Sequence, residues 1–182
     1  MREKLINQTT YYLDKGDKIL SVGSGWNQFA SENDGEQLVA AKVEGRSIWD
    51  FISGDITKVW FRTIIQLADL HQEAVEHPYR CDSPTLKRYM KMRVSKENNI
   101  LRVDHSLLRV ERREKPVLIR HASEFDIFSQ AMRCCSLCGR IHRGREWYEP
   151  DDAIFDSEGS QTFFVIYVVC ETCQLLMPMG VD

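Results

Sequence analysis

The chain has 182 residues, 43% of them hydrophobic and 28% charged. This composition can fill a core and excludes a disordered chain, and the length predicts one domain of ordinary size or one domain with a small appendage. The net charge is −3, but the charges are unevenly distributed along the chain, because residues 80–120 carry 12 Lys and Arg against 5 Asp and Glu.

We expect neither a membrane span nor a secretion signal. A transmembrane helix needs roughly 18 apolar residues in a row, whereas the longest apolar stretch, TFFVIYVV (residues 162–169), has eight residues and is typical of a strand. Residues 1–18 lack the hydrophobic core of a signal peptide. The expected location is therefore the cytoplasm, with no membrane partner. Thiols stay reduced there, so paired cysteines favour a metal site over a disulfide.

Residues 19–71 predict short elements followed by one long helix. Residues 19–22 form a short strand that ends at a Gly-Ser-Gly turn, and an apolar element with Trp26 and Phe29 and a polar helical stretch follow. A helix is predicted from Ile56, with Asp55 as its N-cap, because apolar side chains recur there at helical spacing. This predicted stripe consists of Ile56, Val59, Trp60, Thr63, Ile64, Leu67 and Leu70.

After residue 75 the pattern changes to strands. A strand is predicted over EHPYRCDSP (76–84), and a half-buried strand follows from a period of two, with Arg88 as an exception on its inner face. KENN (96–99) predicts a turn into a second strand that pairs with the first as a hairpin. Inner positions on the two strands are Leu86, Met90, Met92 and Val94, then Leu101, Val103, His105 and Leu107. A short strand at 117–119 and a helix leading to the cysteines complete this part.

Three stretches, ILSVGSGWNQFA (19–30), VEGRSIWDFI (43–52) and PYRCDSPTLKRYMKM (78–92), resemble a PAS domain. A PAS-like subset in bacterial signalling proteins has the Trp-x-x-Phe-Ala opening, the Gly-Arg-Ser-(Ile/Leu)-Trp-Asp-Phe-Ile helix entry and the Arg-Cys-Asp-Ser-Pro turn. The resemblance covers about residues 10–112. The C-terminal part resembles a small Cys-x-x-Cys module that follows some such domains, in which the second knuckle often follows Ser-His-Gly; this chain has VIYVVCETC instead.

The resemblance implies an α+β fold with two parts. Residues 10–115 would form a PAS-like sensory domain, with a five-stranded antiparallel sheet in the order two strands, helices, three strands, and with helices on one face. Residues 116–182 would form a linker and a four-cysteine, zinc-ribbon-like module. The resemblance also implies a homodimer, formed through the N-terminal segment or the sheet face.

Cys135, Cys138, Cys170 and Cys173 predict a four-thiolate metal site. Zinc prefers four soft ligands in a tetrahedron, and two residues between cysteines let one tight turn, here called a knuckle, present both sulfurs. A closed site of this kind implies a structural Zn²⁺, although iron accepts the same ligands. The alternatives are core cysteines or a redox dithiol. Cys134 is out of phase with the knuckle and is interpreted as a spectator.

Two groups of residues are candidate ligand-binding residues in the PAS-like part. Arg80 or Arg88 could hold a carboxylate or another anion, with Asp82 as a further candidate beside them, although an Arg-Asp ion pair that fixes the strand entry is the favoured interpretation. Trp49, Trp60 and Met90 could line a ligand cavity, and His105 on the inner strand face could be a haem or metal ligand, but such side chains more often fill a core. Cys81 is a candidate redox thiol because arginine neighbours lower a thiol pKa, and a simple buried cysteine is the favoured alternative.

The sequence contains no catalytic motif, so we do not expect an enzyme. The preferred hypothesis is a sensory or signalling module that binds an unidentified small ligand, an unidentified protein partner, or both. One alternative is a nucleic-acid-binding regulator that uses the basic block at 80–120. Nucleic acid is not the expected partner, because residues 134–182 hold 3 Lys and Arg against 8 Asp and Glu, and because the block lacks exposed interleaved aromatic residues. The other alternative is a cysteine-based redox sensor.

Overall fold

The computed structural model describes residues 8–32, 35–71, 73–122, 131–152 and 161–176. The strands are β1 Gln8–Leu13, β2 Ile19–Val22, β3 Val75–Arg80, β4 Leu86–Glu97, β5 Ile100–Arg112, β6 Val117–His121, β7 Met132–Cys135, β8 Ile141–Arg143, β9 Glu146–Tyr148 and β10 Gln161–Val168. The α-helices are α1 Trp26–Glu32, α2 Ala40–Val43, α3 Asp55–His71 and α4 Glu171–Gln174. Glu36–Leu38 and Ile48–Asp50 form short 3-10 helices.

Strands β1–β5 form a five-stranded antiparallel sheet in the order β2-β1-β5-β4-β3. Helices α1–α3 come between β2 and β3 in the chain, so the predicted order of two strands, helices and three strands is confirmed. β1 buries every second side chain, and its buried Tyr11 and Leu13 lie opposite Val103 and Leu101 of β5. The alternation of β1 and β5 thus builds one apolar face.

The predicted KENN turn joins β4 to β5. Its tip, Asn98 and Asn99, has φ values of 49° and 67°, in the left-handed region that most side chains avoid. Asparagine tolerates this region better than most residues because its short polar side chain bonds to the local backbone. Two consecutive residues of this kind produce the tight turn that keeps the hairpin in register.

Helix α3 is confirmed, but its buried face differs from the predicted apolar stripe. The buried residues are Trp60, Phe61, Ile64, Ile65 and Ala68, whereas Ile56, Val59 and Leu70 of the predicted stripe are 45%, 61% and 74% exposed. The helix carries two overlapping apolar stripes, and periodicity alone cannot select the one that meets the core. The predicted N-cap, Asp55, is the first residue of the helix.

This difference in burial predicts that two substitutions in α3 affect the free energy of unfolding to different extents. Ile65→Val is expected to lower the free energy of unfolding by about 0.5–1.5 kcal/mol, because it removes a buried methyl group and leaves a cavity. Leu70→Ala, although a larger truncation, should change it by at most about 0.5 kcal/mol, because Leu70 is exposed. Urea unfolding of both variants measures the two effects. A larger loss for Leu70→Ala would show that the originally predicted stripe is the buried one.

Strands β6–β10 form a second sheet in the order β6-β10-β7-β8-β9. β8 pairs with β7 and β9 as antiparallel neighbours, while β10 is parallel to both β6 and β7. The sheet is therefore mixed, because it contains both antiparallel and parallel pairs. Its buried core consists of Val117, Cys134, Ile141, Phe163 and Val165.

Two compact units divide the chain. The first comprises the described parts of Met1–Ser53, Trp60–His77 and Met90–Leu108, and the second those of Gly54–Val59, Pro78–Tyr89 and Arg109–Asp182. The predicted domain boundary at residue 115 stays a prediction. The predicted helix before the cysteines falls largely on residues 123–130, outside the described residues. Among the described helices, none has the length and apolar character needed to cross a bilayer.

Candidate metal centre

The four cysteines that the sequence predicts as ligands come together in the second unit. The sulfur atoms of Cys135, Cys138, Cys170 and Cys173 all lie within 4.8 Å of one another. The Cys138 and Cys170 sulfurs are 3.8 Å apart, far beyond the length of a disulfide bond. A tetrahedron with zinc–sulfur bonds of about 2.3 Å has edges of about 3.8 Å. The donor type, number and spacing therefore fit a zinc ion.

The first knuckle is a turn between β7 and β8. It begins at Cys135, the last residue of β7, and the Gly139 N–H donates to the Cys135 carbonyl at 2.9 Å. Gly139 has φ +71°, a left-handed conformation that glycine adopts without steric cost. The Ser136 N–H donates to the Val168 carbonyl of β10 at 2.8 Å. This hydrogen bond ties the first knuckle to the strand that leads to the second.

The second knuckle lies at the start of helix α4. Cys170 follows β10 by two residues and is the N-cap of α4, and Cys173 lies inside that helix. The Cys170 N–H points at the Cys135 sulfur, with a distance of 3.4 Å, and the Gln174 N–H donates to the Cys170 carbonyl at 2.9 Å. The parallel pairing of β7 and β10 brings both knuckles to the same end of the sheet.

The close packing of the sulfurs controls their protonation. Hydrogen bonds from the Cys138 and Cys173 thiols lower the pKa of Cys135 far below its usual range. The Cys135 sulfur in turn raises the pKa of Cys138 to about 12, and Cys135 and Cys138 raise that of Cys173. Without a cation, one thiolate in this group thus suppresses the ionisation of its neighbours. A divalent metal ion is the kind of charge that allows all four to ionise together.

Cys134 belongs to the core of the second sheet. It is 2% exposed and packs in the apolar cluster with Val117 and Phe163. Burial raises the pKa of its thiol to about 12. A neutral, buried thiol of this kind agrees with the interpretation of Cys134 as a spectator.

Two candidate ligand-binding residues bind each other: Arg80 pairs with Asp82. The Arg80 Nε donates to Asp82 at 3.1 Å, and its Nη1 donates to both carboxylate oxygens of Glu149 at 2.7 and 2.9 Å. The Arg80 side chain is 6% exposed. Burial lowers the Arg80 pKa, but the hydrogen bonds and charges of Asp82 and Glu149 outweigh it and raise the pKa. The geometry is that of the favoured ion-pair interpretation.

Three further basic residues join this ion network, and reasoning from the sequence identified none of them. The Arg113 guanidinium, 1% exposed, donates to Asp82 at 2.5 Å and also to Asp151. The Lys87 ammonium lies 2.7 Å from Asp151. The Arg140 Nε lies 3.6 Å from Glu149. Four cations and three anions therefore form one network: Arg80, Lys87, Arg113 and Arg140 with Asp82, Glu149 and Asp151. Nothing in the local sequence signals a pairing between positions more than 30 residues apart.

The turn between β3 and β4 carries Cys81 and precedes Arg88. Cys81 is exposed, so the favoured interpretation of a simple buried cysteine is wrong. The crowding of its sulfur by protein atoms nevertheless raises the pKa of Cys81, and this effect outweighs the lowering by the Arg88 charge. The Arg88 N–H donates to Asp82 at 3.0 Å. Arg88 thus helps to hold the turn.

Four remaining candidate ligand-binding residues lie in the first unit. The Trp49 indole N–H donates to Asp17 at 2.9 Å, and Trp60 and Met90 are 6% and 4% exposed. His105 stacks on Tyr11 with ring centroids 5.6 Å apart, and burial lowers its pKa to about 4, so it is neutral at pH 7. These placements agree with core packing, which the sequence analysis considers the more frequent role of such side chains.

An open cavity of about 570 Å³ lies elsewhere in the first unit. Its lining includes the apolar side chains of Ile65, Leu70 and Leu101 and a rim of charged residues, among them Asp17 and Lys96. None of the seven candidate ligand-binding residues lines it.

Comparison with known proteins gives no assignment: no protein-family model matches the chain, and no curated protein matches its sequence.

Proposed function

We propose that the chain is a non-enzymatic sensory or signalling module that a structural zinc ion stabilises. The cluster of four cysteine sulfurs within 4.8 Å carries this proposal, because such a donor set in a protein with reduced thiols is built for a soft metal ion. Zinc is the proposed ion, and iron is the alternative that the same ligands accept.

The proposed role of the metal is structural. Four thiolates complete a tetrahedron and leave no coordination position for a substrate or an activated water. Metal binding at such a site supplies on the order of 10 kcal/mol, which becomes folding free energy when the site does not exist in the unfolded chain. Among the described residues, five form the buried cluster of the second sheet, and a core of this size would benefit from the contribution of the metal.

The proposed sensory role rests on the first sheet and on the sequence resemblance together. A five-stranded antiparallel sheet, with helices between its second and third strands along the chain, is what the resemblance to PAS domains implies, and the first sheet has this arrangement. A PAS-like domain of this kind would bind a small ligand, a protein partner or a second copy of the chain in the cytoplasm. Its output would come through a partner protein, because the sequence has no catalytic motif.

The ion pairs of the basic block favour this proposal over nucleic-acid binding. Lys91 lies 2.9 Å from Glu76, Lys96 lies 2.7 Å from Asp69, and the Arg102 Nε lies 2.9 Å from Asp104. Carboxylates thus already neutralise part of the charge that a phosphate backbone would need.

Native mass spectrometry of the protein purified under reducing conditions, without chelators, tests the proposal. We expect one zinc ion per chain, which acid denaturation releases, and the same spectrum reports the subunit number and any co-purified small molecule. A chain that carries no metal and does not take up added Zn²⁺ would exclude the structural-zinc proposal, and a bound iron ion would replace zinc by its alternative.

A further inference from the structure

The first knuckle rests on the strand end that carries Arg80. The backbone N–H of Arg80 donates to the carbonyl of Leu137, which lies between Cys135 and Cys138 in the chain, at 2.8 Å. Gly139 lies directly over the side chains of this ion pair: a Cβ atom on Gly139 would be 3.4 Å from an Asp82 carboxylate oxygen and 3.7 Å from the central guanidinium carbon of Arg80. The backbone and the side chain of Arg80 therefore both support the turn that holds two of the four sulfurs.

Arg80 is itself fixed in place from two sides. Its planar guanidinium binds Asp82 through Nε and both carboxylate oxygens of Glu149 through Nη1. The Asp82 carboxylate also accepts hydrogen bonds from the Arg113 guanidinium and from the backbone N–H of Arg88. A guanidinium with all these partners has little rotational freedom. The ion network thus provides a rigid base beneath a turn of five residues, in addition to the backbone hydrogen bonds within the turn and to β10.

We propose that Arg80 and Asp82 are positioning residues of the metal centre, which hold the first knuckle in its metal-binding conformation. This inference rests on the proposed metal site. Residues that orient metal ligands from outside the coordination sphere raise metal affinity by reducing the reorganisation that binding requires, and their loss typically lowers affinity by about 10- to 100-fold. The Arg80–Asp82 pair, a candidate for ligand binding from the sequence, is thereby assigned a role in the metal centre.

The coupling acts in both directions, as thermodynamic linkage requires. If the ion network favours metal binding, the metal favours the ordered network and with it the turn at residues 81–85. The exposed thiol of Cys81 lies in this turn and can carry a fluorescent label. In the metal-loaded protein the other cysteines are either metal ligands or, in the case of Cys134, buried.

Metal affinity of Arg80→Met, measured by competition with a chromophoric chelator, tests the proposal. We expect affinity for Zn²⁺ to fall by about 10- to 100-fold, with partial recovery in Arg80→Lys. The matched control is Arg102→Met, which removes an arginine that also pairs with an aspartate two residues further on, but in the first unit. Its affinity should equal that of the wild type. Circular dichroism at saturating Zn²⁺ identifies any variant that does not fold.

Two glycine substitutions provide a second test that leaves the ion pair itself intact. Gly139→Ala and Gly144→Ala introduce the same methyl group at φ +71° and +63°, conformations that are strained for alanine at both positions. At Gly139 the methyl also lies in van der Waals contact with Arg80 and Asp82, whereas at Gly144 it meets nothing within 4 Å. We expect Gly139→Ala to weaken metal binding and to alter the visible spectrum of the Co²⁺-loaded protein. Gly144→Ala should leave both unchanged.

The outcomes separate this inference from the proposed function. A wild-type chain that binds neither Zn²⁺ nor Co²⁺ removes the metal site and this inference with it. A second outcome overturns the positioning role alone. In it the wild-type chain binds metal, Arg80→Met binds metal as tightly as Arg102→Met, and the signal from a label on Cys81 does not change when the metal is removed. Weakened binding in Arg80→Met and Gly139→Ala, but not in their controls, supports it.

Discussion

Cys173→Ser is expected to lower the affinity of the chain for Zn²⁺ by more than about 100-fold, a larger loss than changes outside the coordination sphere cause. The substitution replaces a soft thiolate by a hydroxyl that stays protonated and binds zinc poorly. At a free Zn²⁺ concentration about 1,000 times the wild-type Kd, metal binding stabilises the folded chain by about 4 kcal/mol. Most of this stabilisation should disappear in the variant.

Urea unfolding with and without added Zn²⁺ measures the loss. Cys81→Ser is the matched control, because it makes the same chemical change at an exposed cysteine outside the four-sulfur group, and its stability should respond to zinc as the wild type does. If zinc stabilises Cys173→Ser as much as the wild type, then Cys173 is not a ligand and the four-thiolate site is wrong.

Arg113→Met is expected to lower the free energy of unfolding by about 3–5 kcal/mol, even with the metal site saturated. The Arg113 side chain is 1% exposed and neutralises both Asp82 and Asp151. Its removal leaves two largely buried carboxylates with less positive charge nearby, and an uncompensated buried charge is costly because water no longer solvates it. Methionine keeps the apolar volume of the stem, so the expected loss reflects charge more than cavity formation.

Two further variants identify the origin of this effect. Arg109→Met removes an arginine that is 60% exposed and lies 3.2 Å from Glu111, and an exposed pair of this kind contributes at most about 1 kcal/mol. The double variant Arg113→Met/Asp151→Asn should recover part of the loss, because it removes one of the two buried carboxylates that lose a cation. Denaturant unfolding of all variants at saturating Zn²⁺ gives the comparison. An equal, small effect of the two arginine substitutions would show that the buried network contributes little to stability.

The sequence by itself determined the candidate metal centre and the β4–β5 hairpin of the first sheet. Two Cys-x-x-Cys pairs are sufficient to predict the four sulfurs, because the spacing within each pair is a local property of a tight turn. The period of two around Met90 and Met92, and the asparagines of the turn at 96–99, likewise predicted the β4–β5 hairpin, since side-chain alternation and turn chemistry are also local.

Only the tertiary structure decided which apolar face of α3 is buried, how the second sheet is paired and what Arg80 contacts. Two overlapping stripes satisfy the helical period, and the choice between them depends on the surface that the helix meets, which exposes Leu70 and buries Phe61. β10 lies parallel to β7, and Arg113 reaches Asp151, only because distant parts of the chain fold together. Local patterns encode turns and faces, whereas ion networks and strand partners depend on contacts between residues far apart in sequence.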